Sequence, residues 1–209
     1  MLASLLAFTV AAALLTVTPG LDTALVLRTA AVEGPRRAYA AAVGIGTGCL
    51  VWGVVAAAGL GVVLLASELA YRLLQIAGAG YLFWLGLKLF RGSGGAAGIE
   101  LAPAAARGGS AWAWFGRGVM TNLLNPKVGL FYVTFLPQFI PAEANVFLFG
   151  AALALVHDVL GLIWFTALIL ATRPLARWLK RPAVIRWLDR LTGGLFLAFG
   201  AKLALDQRG

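Results

Sequence analysis

Apolar runs long enough to cross a bilayer, ~20 residues at helical rise, alternate along this chain with short segments carrying Arg, Lys, Gly and Pro. The pattern predicts six membrane-spanning helices. The first occupies Met1 to Leu21 and continues to about Leu27, and the second, Ala38 to Ser67, is uncharged throughout. The third, Leu69 to Phe90, carries Arg72 and Lys88 near its ends, where long side chains snorkel to the interface. Gly118 to Ile140 is the fourth, Ala144 to Ala171 the fifth, and about Trp187 to Leu205 the sixth. Residues 92–117, rich in Gly and Ala with Pro103 as far as Gly109, read as a linker. It joins two three-helix halves, 1–91 and 118–209, of a single transmembrane domain. Gly80, Gly86 and Lys88 recur as Gly194, Gly200 and Lys202 at one constant offset. An odd number of spans per half starts the second half on the opposite side, so the halves are expected to form an inverted repeat.

Composition agrees with this all-α integral membrane class: 61% of the 209 residues are hydrophobic and 12% charged, with a mean hydropathy of +0.91. A soluble globular chain is less apolar. The net charge of +9 is dispersed between apolar spans and not gathered on one domain, so no nucleic-acid partner is expected. The basic residues act instead as topology signals. Arg28, Arg36 and Arg37 lie in the first loop, Arg91, Arg107 and Arg117 in the third, and Arg173, Arg177, Lys180 and Arg181 in the fifth. The second loop region has only Arg72 and the fourth has none, which predicts cytoplasmic odd loops and both termini outside. Trp112, Trp114, Trp178 and Trp187 form the matching interfacial belt. No basic residue precedes the first apolar run, so that span is expected to be retained and not cleaved. Cys49 is the single cysteine and His157 the single histidine, which excludes an internal disulfide, a thiol redox pair and a His/Cys zinc cluster. No cofactor is expected. No phosphate-loop pattern occurs either, so transport driven by nucleotide hydrolysis on this chain is excluded.

Two polar, proline-containing interruptions fall at similar places in the halves: Thr18-Pro19-Gly20-Leu21-Asp22 and Asn122-Leu123-Leu124-Asn125-Pro126-Lys127. Proline removes a backbone donor and clashes with the preceding turn, and Gly20 lowers the cost of unusual backbone angles. Non-helical backbone at membrane depth persists only where protein buries it or where it lines a polar cavity. Two such breaks, one per half, mark a substrate path. Amides freed at the start of a half-helix suit a carboxylate, and freed carbonyls suit an ammonium group or a proton donor. An amino acid presents both groups. For Pro19 taken alone, a kinked helix without a ligand is the competing reading.

Asp22 and Lys127 lie beside the breaks and Asp158 lies near the middle of the fifth span. A charge at the bilayer centre costs at least ~2.5–3.5 kcal/mol, so each is expected to face the bundle interior. With Thr18, Pro19, Gly20, Asn122, Asn125 and Pro126 they form the expected substrate-binding or proton-coupling set. No catalytic or metal-binding set accompanies them. Alternatively, Asp22 and Lys127 form a structural ion pair between the halves, and Asp158 sits shallow in water. His157 reads as a packed or interfacial residue, and at least one of Asn122 and Asn125 as a backbone cap. Gly44, Gly46 and Gly48 permit close helix approach, and Gly44-x-x-x-Gly48 serves packing within one subunit and homodimer formation equally.

The two breaks, together with Gly78-Ala79-Gly80-Tyr81-Leu82-Phe83-Trp84-Leu85-Gly86 and Phe135-Leu136-Pro137-Gln138-Phe139, resemble the LysE/RhtB amino-acid exporters over essentially the whole chain. Leu21 departs from the pattern, since many relatives have a second proline there. The resemblance implies a small-molecule amino-acid substrate moved out of the cytoplasm across the inner membrane of a bacterium, with protons as the counter-ion. Asp22 is then the first choice for the coupling carboxylate and Asp158 the second. The competing function is a divalent-cation exporter of related architecture, with Asp22, Asp158 and the asparagines as oxygen ligands. Two acids make a poor site for a doubly charged ion, and Lys127 would repel it.

Overall fold

The computed structural model describes residues 1–66, 73, 76, 79–80, 83–84, 86–88, 90–91, 108–171 and 181–205, and every regular element among them is helical. In order these are α1 (Leu2–Val17), α2 (Leu21–Val32), α3 (Pro35–Ala66), α4 (Ala111–Leu123), α5 (Pro126–Leu130), a π turn (Phe131–Phe135), a 3-10 turn (Leu136–Phe139), α6 (Val146–Leu170) and α7 (Pro182–Leu205). Much of the expected third helix, with Arg72, Gly78 and Tyr81, lies outside the described residues, as do linker residues 92–107 and fifth-loop residues 172–180.

Helical spacing sorts each span into an inner and an outer face. In α1, Phe8, Ala11, Ala12 and Leu15 are buried while Leu2, Leu6 and Val10 are exposed. In α6, Leu153, Ala154, His157, Phe165 and Leu168 point inward, and Leu148, Leu155, Val159, Ile163 and Leu170 outward. Outer faces this apolar are unfavourable in water and suit lipid. By length and apolar character α3, over Pro35–Gly59, and α6 can each cross a membrane, and α1 with α2, bent by 52° at their junction, are long and apolar enough only when taken together. The chain is a multi-pass membrane protein, all-helical among the described residues.

Two elements start earlier than the apolar runs suggest. The helix expected from Gly118 begins at Ala111, because Ser110 caps it by accepting the Ala113 amide at 3.2 Å. The last helix begins at Pro182 and not near Trp187, with proline at a first-turn position where its missing N–H costs nothing. Past the second break, the expected regular helix to Ile140 is replaced by α5, the π turn and the 3-10 turn. Their rings build one core. Phe8, Phe131, Phe135, Phe139 and Phe196 lie with centroids 5.0 to 5.8 Å apart, drawing α1 and α7 onto these turns.

Helix α3 is the central post, packed chiefly on α4 and α6. Its glycines explain how it gets so close. A Cβ at Gly44 would strike the Phe115 backbone, at Gly46 the Asp158 carboxylate, and at Gly48 the Asn122 side chain. Gly118 of α4 meets the Ala41 backbone in the same way. Gly44 and Gly48 thus serve packing inside this chain. At one end of the bundle, Arg37 pairs with Glu33 at 3.1 Å and donates from Nε to the Gly109 carbonyl at 2.9 Å. The Gly108 amide donates to Glu33 Oε1 at 3.1 Å. The first loop and the end of the third therefore lie together.

Candidate functional site

The first break follows from one missing hydrogen. In a continuous helix the Leu15 carbonyl accepts the amide of residue 19, and Pro19 has none. Lys127 supplies the donor from the other half of the chain: its Nζ donates to the Leu15 carbonyl at 3.2 Å and to the Thr18 carbonyl at 2.9 Å. A cation at the negative end of α1 is also favoured by the helix dipole. The expected alternative, an ion pair of Lys127 with Asp22, does not form, because the ammonium is drawn to these carbonyls. A Cβ at Gly20 would lie 3.9 Å from Lys127 Nζ, an ordinary contact, so the lysine packs directly over this residue.

The second break closes itself. Asn122 loses its helical donor to Pro126, but the Asn125 amide reaches the Asn122 carbonyl at 3.0 Å. Asn125 then caps α5, its Oδ1 accepting the Lys127 amide at 3.1 Å. The start of α2 has no such device. Gly20 is its N-cap and offers no side-chain acceptor, so the first amides of α2, at Leu21, Asp22 and Thr23, lack helical partners.

Asp22 stands in that first turn. Its Oδ2 accepts from Asn122 Nδ2 at 2.9 Å, and the same amide reaches Cys49 Sγ at 3.4 Å. Asp22 Oδ1 and Asp158 Oδ1 are buried and without a hydrogen-bond partner. Both aspartates line one cavity of ≈ 50 Å³, together with Thr18, Gly20, Asn125 and Lys127 from the breaks. Space of that measure holds roughly three or four water-sized groups, about the bulk of an amino acid's charged head. Leu15, Ile45, Val128, Leu162 and Phe165 make the rest of the wall largely apolar. Pro19, Asn122 and Pro126 are absent from this lining and act on the backbone and on Asp22.

His157, read as a packed residue, is buried and also lines the cavity. Its Nδ1 pairs with the Tyr132 hydroxyl at 3.0 Å, and Tyr132 belongs to the π turn. Two residues of α7 stand outside the set expected from the sequence. The Thr192 hydroxyl meets that of Thr18 at 2.6 Å, and Asp189, one turn earlier on α7, is fully buried. The signal was present: an acid within the sixth apolar run obeys the rule that singled out Asp22. Among the described residues, no group of three or more His, Cys, Asp or Glu side chains comes together as a metal site.

No solved structure matches the chain. The uncharacterized membrane protein YrhP of Bacillus subtilis is 31% identical over 97% of this chain and 99% of its own. The homoserine/homoserine lactone efflux protein of Salmonella typhimurium is 31% identical, covering 95% of this chain and 94% of its own. The leucine efflux protein of Klebsiella pneumoniae is 31% identical, covering 97% and 95%. Residues 13–207 match the LysE type translocator family, so this chain belongs to that family of membrane transporters.

Proposed function

We propose that the protein exports amino acids or close derivatives from the bacterial cytoplasm by proton antiport across the inner membrane. One observation carries the reading: a single cavity at the crossing of the two broken helices holds Asp22, Asp158, Lys127 and the uncapped start of α2. The amides of α2 suit the substrate's carboxylate and the aspartates its ammonium. The names of the homoserine and leucine efflux relatives support the same substrate class. The two halves work as inverted repeats, 1–91 and 118–209, joined by 92–117, with both termini outside.

Asp22 couples the two flows in the simplest way available to one carboxylate. Ionised, it holds the substrate's ammonium; protonated from the outside, it loses that attraction and the substrate leaves. The protonated carrier then returns and releases its proton to the cytoplasm. Proton and ammonium exclude each other at the same oxygens, which is what antiport requires. Moving one charge through 100 mV is worth about 2.3 kcal/mol and a tenfold gradient about 1.4 kcal/mol. One proton per zwitterion thus sustains roughly a fortyfold outward gradient at that voltage.

The test uses vesicles with an imposed pH gradient. Asp22→Asn keeps the size and part of the hydrogen bonding to Asn122 but cannot titrate, so uphill export should be abolished, with Asp158→Asn milder. Undiminished uphill export by Asp22→Asn would remove it as the coupling group, and loss only in Asp158→Asn would move that role to α6.

A further inference from the structure

Resting on the amino-acid export reading, we infer that this cavity recognises its substrate through the ammonium group and accepts a neutral carbonyl in place of the carboxylate. Amides, esters and lactones of α-amino acids then belong to the exported class, and N-acyl amino acids do not.

The charges of the wall set this preference. Two aspartates face the cavity against one lysine. Each aspartate keeps a buried Oδ1 without a partner, whereas two of the three Lys127 donors already serve the Leu15 and Thr18 carbonyls. Beyond the third Lys127 donor, what faces the substrate's other end is neutral: the Asn125 side chain and the uncapped first turn of α2. Those backbone N–H groups are neutral donors. They bond a lactone, ester or amide carbonyl as well as a carboxylate oxygen, and Asp22 in the same turn offsets the dipole's attraction for negative charge. Removing the ammonium has no such substitute, because it leaves two buried carboxylate oxygens without a donor; charge-assisted bonds of that kind correspond to roughly a hundredfold in binding.

The full-length protein in proteoliposomes provides the test. Efflux of each labelled protein amino acid, and of homoserine, is measured with and without its carboxamide or its N-acetyl form as competitor, with homoserine lactone added for homoserine. For every parent that moves, the carboxamide or lactone should inhibit within about fivefold of the parent itself, and the N-acetyl form should be roughly a hundredfold weaker. Asp158→Asn should weaken parent and carboxamide by the same factor. N-acetyl forms that inhibit as well as their parents, or carboxamides as poor as the N-acetyl forms, would overturn the inference and leave amino-acid export standing. If no parent moves at all, the export reading fails first, and this inference with it.

Discussion

Gly46 shows how much of the site depends on an atom that is not there. A methyl group at this position would collide with the Asp158 carboxylate, so alanine must either turn Asp158 out of the cavity or part α3 from α6. Overpacking of this kind costs typically ~1–3 kcal/mol. Gly46→Ala is therefore expected to lower the export rate by about tenfold and to reduce thermal stability in detergent. Gly59→Ala is the control, because an added Cβ there meets nothing within 4 Å. Normal export by Gly46→Ala would mean that Asp158 does not work from the position it occupies. The sequence marked Gly46 only as a small residue on a helix face. Its neighbour comes from α6, and no local pattern states which side chain a glycine must admit.

The two breaks look alike as elements but are completed differently. At the second, the Asn125 amide already fills the Asn122 carbonyl; at the first, the donor arrives from Lys127, 112 residues away in the chain. Pro19→Ala restores an amide that competes with Lys127 for Leu15, while Pro126→Ala restores one whose acceptor is occupied. Both should impair export with the protein still inserted, and Pro19→Ala should be the more damaging. Export assays at matched abundance check this, and full activity in both would dispose of the broken-helix site. The positions of the breaks were legible because proline's lost donor is a local fact. The crossing of Lys127 and the docking of Thr192 on Thr18 were not, since each needs two distant helices placed side by side.

For the whole molecule, the basic bias of the odd loops predicts that Arg36 lies inside the cell and Glu143 outside. Both are exposed, and the contact of Glu33 and Arg37 with Gly108 and Gly109 brings the first and third loops to one end, as that bias requires. A cysteine at 143, but not one at 36, should react with an impermeant reagent added outside; the opposite result inverts the orientation. The background for this experiment should be Cys49→Ser, because Cys49 is buried beside Asn122 and accepts its amide. The six apolar runs made the class of architecture readable at once. The π and 3-10 turns after α5 were hidden, since their apolar composition matches that of a regular helix and only the packing of five phenylalanine rings distinguishes them.

Lys127 can also be regarded as a tethered amine parked at a vacant backbone acceptor. A tethered group is replaceable by a free one of the same chemistry. Lys127→Ala removes the ammonium from the Leu15 and Thr18 carbonyls and opens a pocket bounded by backbone oxygens, into which ethylammonium fits. Export by the variant should be low, and millimolar ethylammonium should restore part of it, whereas ethanol at the same concentration should not. The substrate's own amino group would compete for the same berth, so the variant should show inhibition by excess substrate that ethylammonium relieves. Wild-type export by Lys127→Met, with no response to the added amine, would show that the parked charge is dispensable.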